Sequence, residues 1–455
     1  MTYEQAVALL DSFTNYEQIT QPGGLREVQL ARMQELCERL GHPQRRFRSL
    51  LVTGTNGKGS VCAMLYAMLR RSTLRVGLYT SPHVEHVRER IRVSDPARQD
   101  GDQAHGADWI TEDEFATLLH ALQPVLGAVR EPPTYFEVLT ALAFLHFSRR
   151  QVEVAVLEIG LGGRLDATNV VQQSVSVITP IDVDHADVLG TDPRAIAAEK
   201  AGIIKPRQTV LSSPQGDEVR AVLREACERQ GVPLVVCGQD LTSRVESHGL
   251  EGLQVTVTGL RGIYESLTIP LIGRHQADNA AVAIGALEAL SDTGIPRAMV
   301  EQGLAAVEWP GRLEVVHDEP LVLLDGAHNP QAAQALVETV RELCPDRPVH
   351  LLIGMSSNKL IEEIGRRLGG LATAATCTRS RHPRALEPAT LARRLKPFCP
   401  DVHVMADPID AYTYLLNAAA ANDVIVVTGS LYLVGELRAA LRRSHVRPRR
   451  PLVSA

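Results

Sequence analysis

Leu50-Leu51-Val52-Thr53-Gly54-Thr55-Asn56-Gly57-Lys58-Gly59-Ser60 decides how this chain is read. An apolar run suited to a buried strand ends in a turn built on glycines, a lysine and a serine, and Val61 to Arg70 then carries a helix-like pattern. Strand, glycine-rich loop and helix in that order make an anion cradle. Glycine lets successive backbone N–H groups turn toward one point, and the helix N-terminus adds partial positive charge. Lys58 has the reach for the outer phosphates of a nucleotide, and Ser60 has the hydroxyl for its Mg²⁺. The spacing departs from the general pattern G-x-x-x-x-G-K-[ST], because Gly59 separates the lysine from the serine. A glycine-rich turn with a solvated lysine is the bland alternative; the order of the three elements favours the cradle.

Outward from this loop, strand and helix patterns alternate. Val152 to Gly160 and Ser174 to Pro180 read as buried strands, which argues for α/β architecture with a mostly parallel sheet. Ligands of such sheets gather at the C-terminal ends of the strands. Leu241 to Leu267 alternates apolar and polar residues around Gly249, Gly252, Gly259 and Gly262, suiting a small antiparallel hairpin set. Beyond Leu313, three more buried-strand runs (Leu321–Gly326, Pro348–Gly354 and Asp423–Gly429) with helical segments between them predict a smaller Rossmann-like unit. Trp309-Pro310-Gly311 breaks the pattern before it. The expected division is therefore an N-terminal phosphate-loop domain over 1–308 and a C-terminal Rossmann-like domain over 309–455. Asp95 to Asp108 reads as a polar surface loop, and the arginine-rich end from Arg442 to Ala455 as a frayed tail.

Bulk properties narrow the class. At 455 residues the chain exceeds one ordinary core. Hydrophobic content of 45% with 22% charged residues describes a globular protein. A net charge of −6 gives no global basic footprint for nucleic acid, and no apolar run is long enough for a bilayer. The first residues lack the basic start and apolar core of a signal peptide. Seven cysteines without a C-x-x-C pair suit reduced, buried thiols and a cytoplasmic location, with Cys62 read as packing. The protein is expected to act as a monomer on small molecules, with neither nucleic acid nor membrane as partner.

Two further stretches carry chemistry. Glu158 closes a strand within Leu157-Glu158-Ile159-Gly160-Leu161-Gly162-Gly163-Arg164-Leu165-Asp166. A carboxylate there needs a partner, and Mg²⁺ beside a nucleotide takes one or two carboxylates along with phosphates and water. The alternative is a carboxylate that caps the following turn. Asp182-Val183-Asp184-His185 follows the next strand, and Asp192-Pro193 can start a helix carrying Lys200. A lone His after a strand, as His185 is, is more often structural than a ligand.

In order along the chain stand Gly54–Ser60, Ser81-Pro82-His83, Pro133–Glu137, Leu157–Asn169, Asp184-His185 and Glu199–Ile203. His275–Asn279, Trp309–Glu314, Leu324–Asn329 and Gly429–Leu433 continue the series. Together they resemble the folylpolyglutamate synthase family, in bacteria often bifunctional with dihydrofolate synthase, within the Mur ligase superfamily. The resemblance runs from about Gly24 to Leu433.

It implies an ATP- and Mg²⁺-dependent ligase that joins L-glutamate to the carboxylate of folates, and of dihydropteroate, through an acyl phosphate. Asn56, Gly57, Lys58, Gly59 and Ser60 would cradle the phosphates, and Asn279, Arg312, Asp325 and His328 would contact the nucleotide. Ser60, Ser81, Glu158 and His185 would take two Mg²⁺ sites. Lys58, Lys200, His185 and Arg312 would be the catalytic set, with Lys200 a candidate for a CO₂-derived carbamate. An exposed helical lysine or a plain phosphate contact is the plainer reading of Lys200. Thr134, Tyr135, Phe136, Glu137, Leu165, Asp166 and Ala167 would form the pterin pocket. Two stretches depart from the family pattern: Gln18–Arg26 carries extra Pro22 and Gly23, and Gly354–Lys359 lacks an Asp-Lys-Asp run. His382 and Arg384 are candidates for the carboxylates of the incoming glutamate, or members of a solvated loop. A Mur-type ligase with a non-folate acceptor and a non-catalytic nucleotide-binding regulator are the alternatives.

Overall fold

The computed structural model describes residues 1–18, 28–96, 106–291 and 294–443, which are organised around three sheets. The first contains β1 (Arg48–Thr53), β2 (Val76–Tyr79), β3 (Ile91–Val93), β4 (Val154–Glu158), β5 (Val175–Ile178), β6 (Thr209–Ser212) and β7 (Leu234–Val236). Their order is β3-β2-β4-β1-β5-β6-β7, parallel throughout except at the β2–β3 edge. The register fixes the site. Val52 of β1 lies opposite Glu158 of β4 on one side and Val177 of β5 on the other. The loop leaving β1 therefore stands between the ends of β4 and β5. Burial on both faces accounts for the unbroken apolar runs of these strands.

Strands β8 (Thr242–Gly249), β9 (Gly252–Thr258) and β10 (Ile263–Ile269) form the antiparallel set that the alternation predicts. The sheet packs on the helix His275–Leu290, whose alanine-rich surface is buried on nearly every side. The other flank of that helix meets Lys58–Leu69, the helix that follows the phosphate loop. A helix enclosed all round is apolar all round, and both helices obey that rule.

Glu288 is the charged exception, in addition to the polar Gln276 and Asn279. Its carboxylate is 0% exposed and accepts the Leu260 N–H at 2.6 Å, the Arg261 N–H at 3.2 Å and the Tyr264 hydroxyl at 3.0 Å. It is the inner anchor of the β9–β10 turn. Glu288→Ala is expected to lower stability by about 2 kcal/mol, the usual value of hydrogen bonds to a charged group. Urea unfolding checks this, and an unchanged midpoint would remove the anchor role.

The third sheet contains β11 (Glu314–Asp318), β12 (Leu321–Leu324), β13 (Val349–Ile353), β14 (Ala374–Cys377), β15 (Val402–Val404) and β16 (Val424–Thr428). Its order is β11-β12-β16-β13-β14-β15, parallel apart from β11. The α/β expectation holds for both large sheets. Three of these strands have no counterpart among the predicted runs. Strand β11 is mixed in polarity, β14 is the weak β-former run Ala-Ala-Thr-Cys, and β15 is a short, largely exposed edge.

The helix after the phosphate loop starts at Lys58, three residues before the predicted Val61, because Gly57 caps it in the left-handed region at φ 84°. Asp192 caps the helix Pro193–Ala201 that carries Lys200, as the sequence predicts. Trp309-Pro310-Gly311 lies in irregular backbone between the helix Arg297–Ala305 and β11. Residues 97–105 of the polar loop, 19–26 of the Gln18–Arg26 stretch and 444–455 of the basic tail lie outside the described residues. All seven cysteines are free and buried, and burial pushes the Cys62 thiol well up, in keeping with packing. No helix among the described residues is long and apolar enough to cross a membrane.

Candidate active site

The phosphate loop is tied down from below and open above. The Thr53 hydroxyl donates to Gly162 O at 2.8 Å, and the Thr55 hydroxyl donates to Asp182 O at 2.8 Å. The Thr55 N–H donates to Pro180 O at 2.9 Å. The turns after β4 and β5 thus hold the loop after β1. Gly59 has a packing reason: a Cβ there would lie 2.7 Å from the Trp309 ring, which covers the start of the helix. The Lys58 ammonium folds back onto Gly54 O and Thr55 O, each at 3.1 Å. The Lys200 amine reaches the same Gly54 O at 2.8 Å. Two lysines on one carbonyl make a cationic spot at the mouth of the cradle.

Burial tunes the groups around that spot. Lys200 is 4% exposed, and burial, then the neighbouring Lys58, pulls its amine from 10.5 down to about 7. Glu158 is 5% exposed; burial raises its pKa against the pull of Lys58 and of the Ser81 N–H, which it accepts at 3.1 Å. Among the described residues this buried carboxylate has one backbone donor and no ion-pair partner, which suits a cation. Among the described residues no three His, Cys, Asp or Glu side chains converge to cage a metal. Any ion here must draw ligands from phosphate and water, as Mg²⁺ beside nucleotides does. His185 holds a positive φ of 51°, a strained conformation for a non-glycine residue, and burial pushes its imidazole pKa down.

The third sheet supplies the opposite wall. Asp325, at the end of β12, accepts the Leu313 N–H at 3.0 Å and the Ala327 N–H at 2.9 Å, and burial raises its pKa against the pull of Arg312. His328 follows, with Nδ1 2.7 Å from Gly326 O and Nε2 3.3 Å from Asp184. Lys359, from the loop after β13, donates to the other Asp184 oxygen at 2.6 Å. Both side chains are about nine-tenths buried. Burial tends to raise the Asp184 pKa, but His185, Lys359 and His328 together hold it well below the usual carboxylate range. Since His185 is itself held toward its neutral form, the Lys359 ammonium is the charge that matters.

Two other ties join the walls. Asn56 donates to Gln331 at 2.6 Å and exchanges hydrogen bonds with Asn329. Arg438 on the helix Leu431–Arg443 bridges Glu314 at 2.9 Å and Glu85 of the first unit, and Gly435 of that helix lies against the Val84 backbone. Between the walls runs a cleft of about 580 Å³.

Most predicted site residues meet on this cleft. Asn56–Ser60, Ser81, Glu158, His185, Lys200, Asn279, Arg312, Asp325 and His328 all line it, as do Thr134, Phe136, Glu137 and Asp166. The pterin set needs correction. Tyr135 and Ala167 are buried in the hydrophobic cluster behind the cleft, and Leu165 is buried off its wall. Successive residues of a helix or turn point in different directions, so not every member of a run reaches the cleft. Asp166 is also already committed: it accepts the N–H groups of Gly160 and Leu161 at 3.0 Å, and the Thr168 N–H at 2.9 Å and hydroxyl at 2.6 Å. Its first role is to shape the glycine turn.

The residues that sequence reasoning missed are Lys359, Gln331, Asn329 and the Glu17–Arg90 pair, in which the guanidinium meets both carboxylate oxygens at 2.7 Å. Position at a strand end was the available signal for Lys359 and Asn329. Nothing local marks Glu17 or Arg90.

Two domain families match the chain: the Mur ligase middle domain over residues 107–287 and the Mur ligase glutamate ligase domain over residues 311–431. The Bacillus subtilis dihydrofolate synthase/folylpolyglutamate synthase is 33% identical over 427 residues, covering 91% of this chain and 95% of that one. Mycobacterium tuberculosis folylpolyglutamate synthase, solved as a complex with ADP, superimposes with a TM-score of 0.88 at 31% identity, over 98% of this chain and 99% of that one. Escherichia coli FolC in complex with DHPP and ADP does so with a TM-score of 0.82 at 28% identity, over 98% of each chain. With the two-walled cleft, the matched domains and relatives of this similarity over nearly full length, the chain belongs to the folylpolyglutamate synthase/dihydrofolate synthase family of the Mur ligase superfamily.

Proposed function

We propose that the protein is an ATP-dependent ligase that forms an amide between L-glutamate and the carboxylate of a folate, and of dihydropteroate. One observation carries the reading: a phosphate loop, a buried carboxylate and a lysine of lowered pKa share a cleft with Asp325, Arg312 and His328 of a second α/β unit. An acceptor carboxylate oxygen attacks the γ-phosphorus of ATP, the β–γ bridging P–O bond breaks and ADP leaves. The glutamate nitrogen attacks the acyl carbon, the bond to phosphate breaks, and amide and phosphate form with loss of a proton from the amine.

The chain's own part is positioning and charge. Gly57 to Ser60 would hold the phosphates, and Lys58 would exchange its loop carbonyls for a phosphate oxygen. Arg312 would meet the γ-phosphate, while Asn279 and Asp325 would hold the nucleoside. Ser60, Ser81, Glu158 and His185 are the residues we assign to Mg²⁺, which when bound neutralises charge on the phosphoryl oxygens. With its lowered pKa, buried Lys200 would supply the neutral amine that a carbamate requires. Thr134, Phe136 and Glu137 would face the pterin. We place the boundary between the two domains at 308/309, where closure of one on the other would exclude water from a hydrolysable intermediate.

Glutamate-dependent ADP release tests the proposal, with dihydropteroate compared against a reduced folate monoglutamate. Turnover with both is expected. Turnover with the folate alone would restrict the activity to polyglutamylation, and release with neither would return the chain to a non-folate acceptor or a regulatory role.

A further inference from the structure

Arg92 is the middle residue of β3, between Ile91 and Val93, whose side chains are buried in the hydrophobic core. By the alternation of a strand its own side chain leaves on the other face. Trp109 stands opposite it in an antiparallel bridge, fixed by the Val93 N–H on Asp108 O at 2.8 Å and the Ile110 N–H on Ile91 O at 2.9 Å. Residues opposed in this way project to one face and touch. The Arg92 guanidinium lies over the Trp109 ring, 5.9 Å from its centroid, and also over Trp309, again at 5.9 Å. Its Nε donates to Glu89 O at 3.2 Å. One cation thus serves both tryptophans of the chain.

Trp309 is the joint between the two units. Its ring packs on the core cluster that holds the phosphate-loop helix, and it meets Gly59 so closely that a Cβ there would lie 2.7 Å away. The backbone just beyond it belongs to the other wall. The Gly311 N–H donates to Glu314 at 3.0 Å, and Gly311 O accepts the Gly326 N–H at 2.9 Å and Arg312 at 3.1 Å. A shift of the Trp309 ring would therefore reach the phosphate loop through Gly59, and Arg312 through the anchored backbone between them. Attraction of the guanidinium for the electron-rich ring face opposes such a shift. A planar guanidinium can lie against two aromatic faces at once, which a compact ammonium does less well and an aliphatic chain does without the electrostatic attraction.

Resting on the nucleotide site of the ligase reading above, we propose that Arg92 is a positioning residue for ATP. By holding Trp309 over Gly59, it keeps the phosphate loop and Arg312 in register for the same phosphates. Neither Arg92 nor Trp309 lines the cleft, so the action is indirect and runs through the ring.

The test is calorimetric titration of a non-hydrolysable ATP analogue, with Mg²⁺, into the full chain. Wild type is compared with Arg92→Met, Arg92→Lys, Trp309→Leu and each Arg92 substitution combined with Trp309→Leu, and thermal unfolding shows which proteins are folded. Arg92→Met is expected to weaken binding about 10-fold, the scale of a partly desolvated cation–π contact. Arg92→Lys, which keeps the charge without the plane, should recover part of the loss. Beside Trp309→Leu the same substitutions should cost less than about 2-fold, because the ring they act through is gone. The KM for ATP should follow the same pattern, with the KM for glutamate unchanged. Unchanged affinity in Arg92→Met, or an equal loss with and without Trp309, overturns the proposal. Should Arg92→Met fail to fold, Arg92→Lys decides. A weakening that disappears beside Trp309→Leu supports the role, and wild-type affinity or a loss that persists overturns it. Binding of the analogue needs no acceptor, so absent folate turnover would strike the ligase reading and leave these affinities to judge Arg92. A wild-type protein that binds no nucleotide overturns both.

Discussion

Lys200→Met is expected to lower glutamate-dependent ADP release by about 100- to 1,000-fold, the range seen when one charge-stabilising group leaves an active site, and at the same time to make the protein more stable at neutral pH. The two effects have one cause. Burial first, and Lys58 second, pull the Lys200 amine from 10.5 to about 7. Between these values the unfolded chain binds a proton that the native state does not, so native stability rises with pH from about 7 to 10.5. Below pH 7 the penalty of burying the ammonium is complete, of the order of 5 kcal/mol. Methionine fills similar space without a charge. Its stabilising effect is therefore full at pH 6, shrinks through pH 9 and vanishes above 10.5. Thermal melts across that range, paired with ADP release at pH 7.5, check both halves. An activity near wild type would remove Lys200 from the catalytic set, and a stability difference independent of pH would contradict its titration. If the neutral amine carries a carbamate, wild-type activity also falls as pH drops below 7.

Asp184→Ala is the second large effect. Removing this carboxylate leaves the Lys359 ammonium about nine-tenths buried with no counter-charge and takes the acceptor from His328. Breaking one side of a buried pair costs about 3–5 kcal/mol. Part of that cost falls on closure of the cleft, because the pair joins the wall that carries the phosphate loop to the wall that carries Asp325. Activity is expected to drop at least about 100-fold, as disturbed positioning can cause, with a lowered melting temperature. Asp184→Asn should fall between, since the amide oxygen still accepts a hydrogen bond. The depressed pKa adds a pH test. Its contribution is fully present above about pH 4, the unfolded carboxylate range, and is lost as pH falls further through the folded value. The wild-type minus Asp184→Ala stability difference should thus be flat near neutrality and narrow in acid. Equal activity in the two proteins would sink the positioning role.

These two residues also mark how far sequence carries. Lys200, Glu158 and the phosphate loop each belong to a single segment, where a strand ends or a capped helix begins, so their setting is written in adjacent residues. The antiparallel set β8–β10 was legible for the same reason, through its alternation. Lys359 meets Asp184 across 175 positions, and Asn56 meets Asn329 across 273. A charge whose partner lies that far away has no local pattern. Asp166 shows the converse limit. Its place between glycines and Thr168 was visible, but an aspartate that caps a turn and one that binds a ligand have the same neighbours in sequence. Only the four donors around its carboxylate distinguish them. Strand β14 escaped because its Ala-Ala pair is a weak β signal and its conformation is set by pairing with β13, and β15 because three largely exposed residues at the edge beside β14 are too short a run to read.

The tie between Arg438 and Glu85 has a bearing on how the chain is made. The phosphate loop, Glu158 and Lys200 leave the ribosome early, and the first sheet is complete once β7 has emerged. The clasp onto Glu85, and the close seat of Gly435 against Val84, come from the last described helix. During synthesis a nascent chain can therefore hold a half-built nucleotide site while the opposite wall is still missing. Translation order is thereby expected to delay ATP consumption until the helix Leu431–Arg443 has emerged.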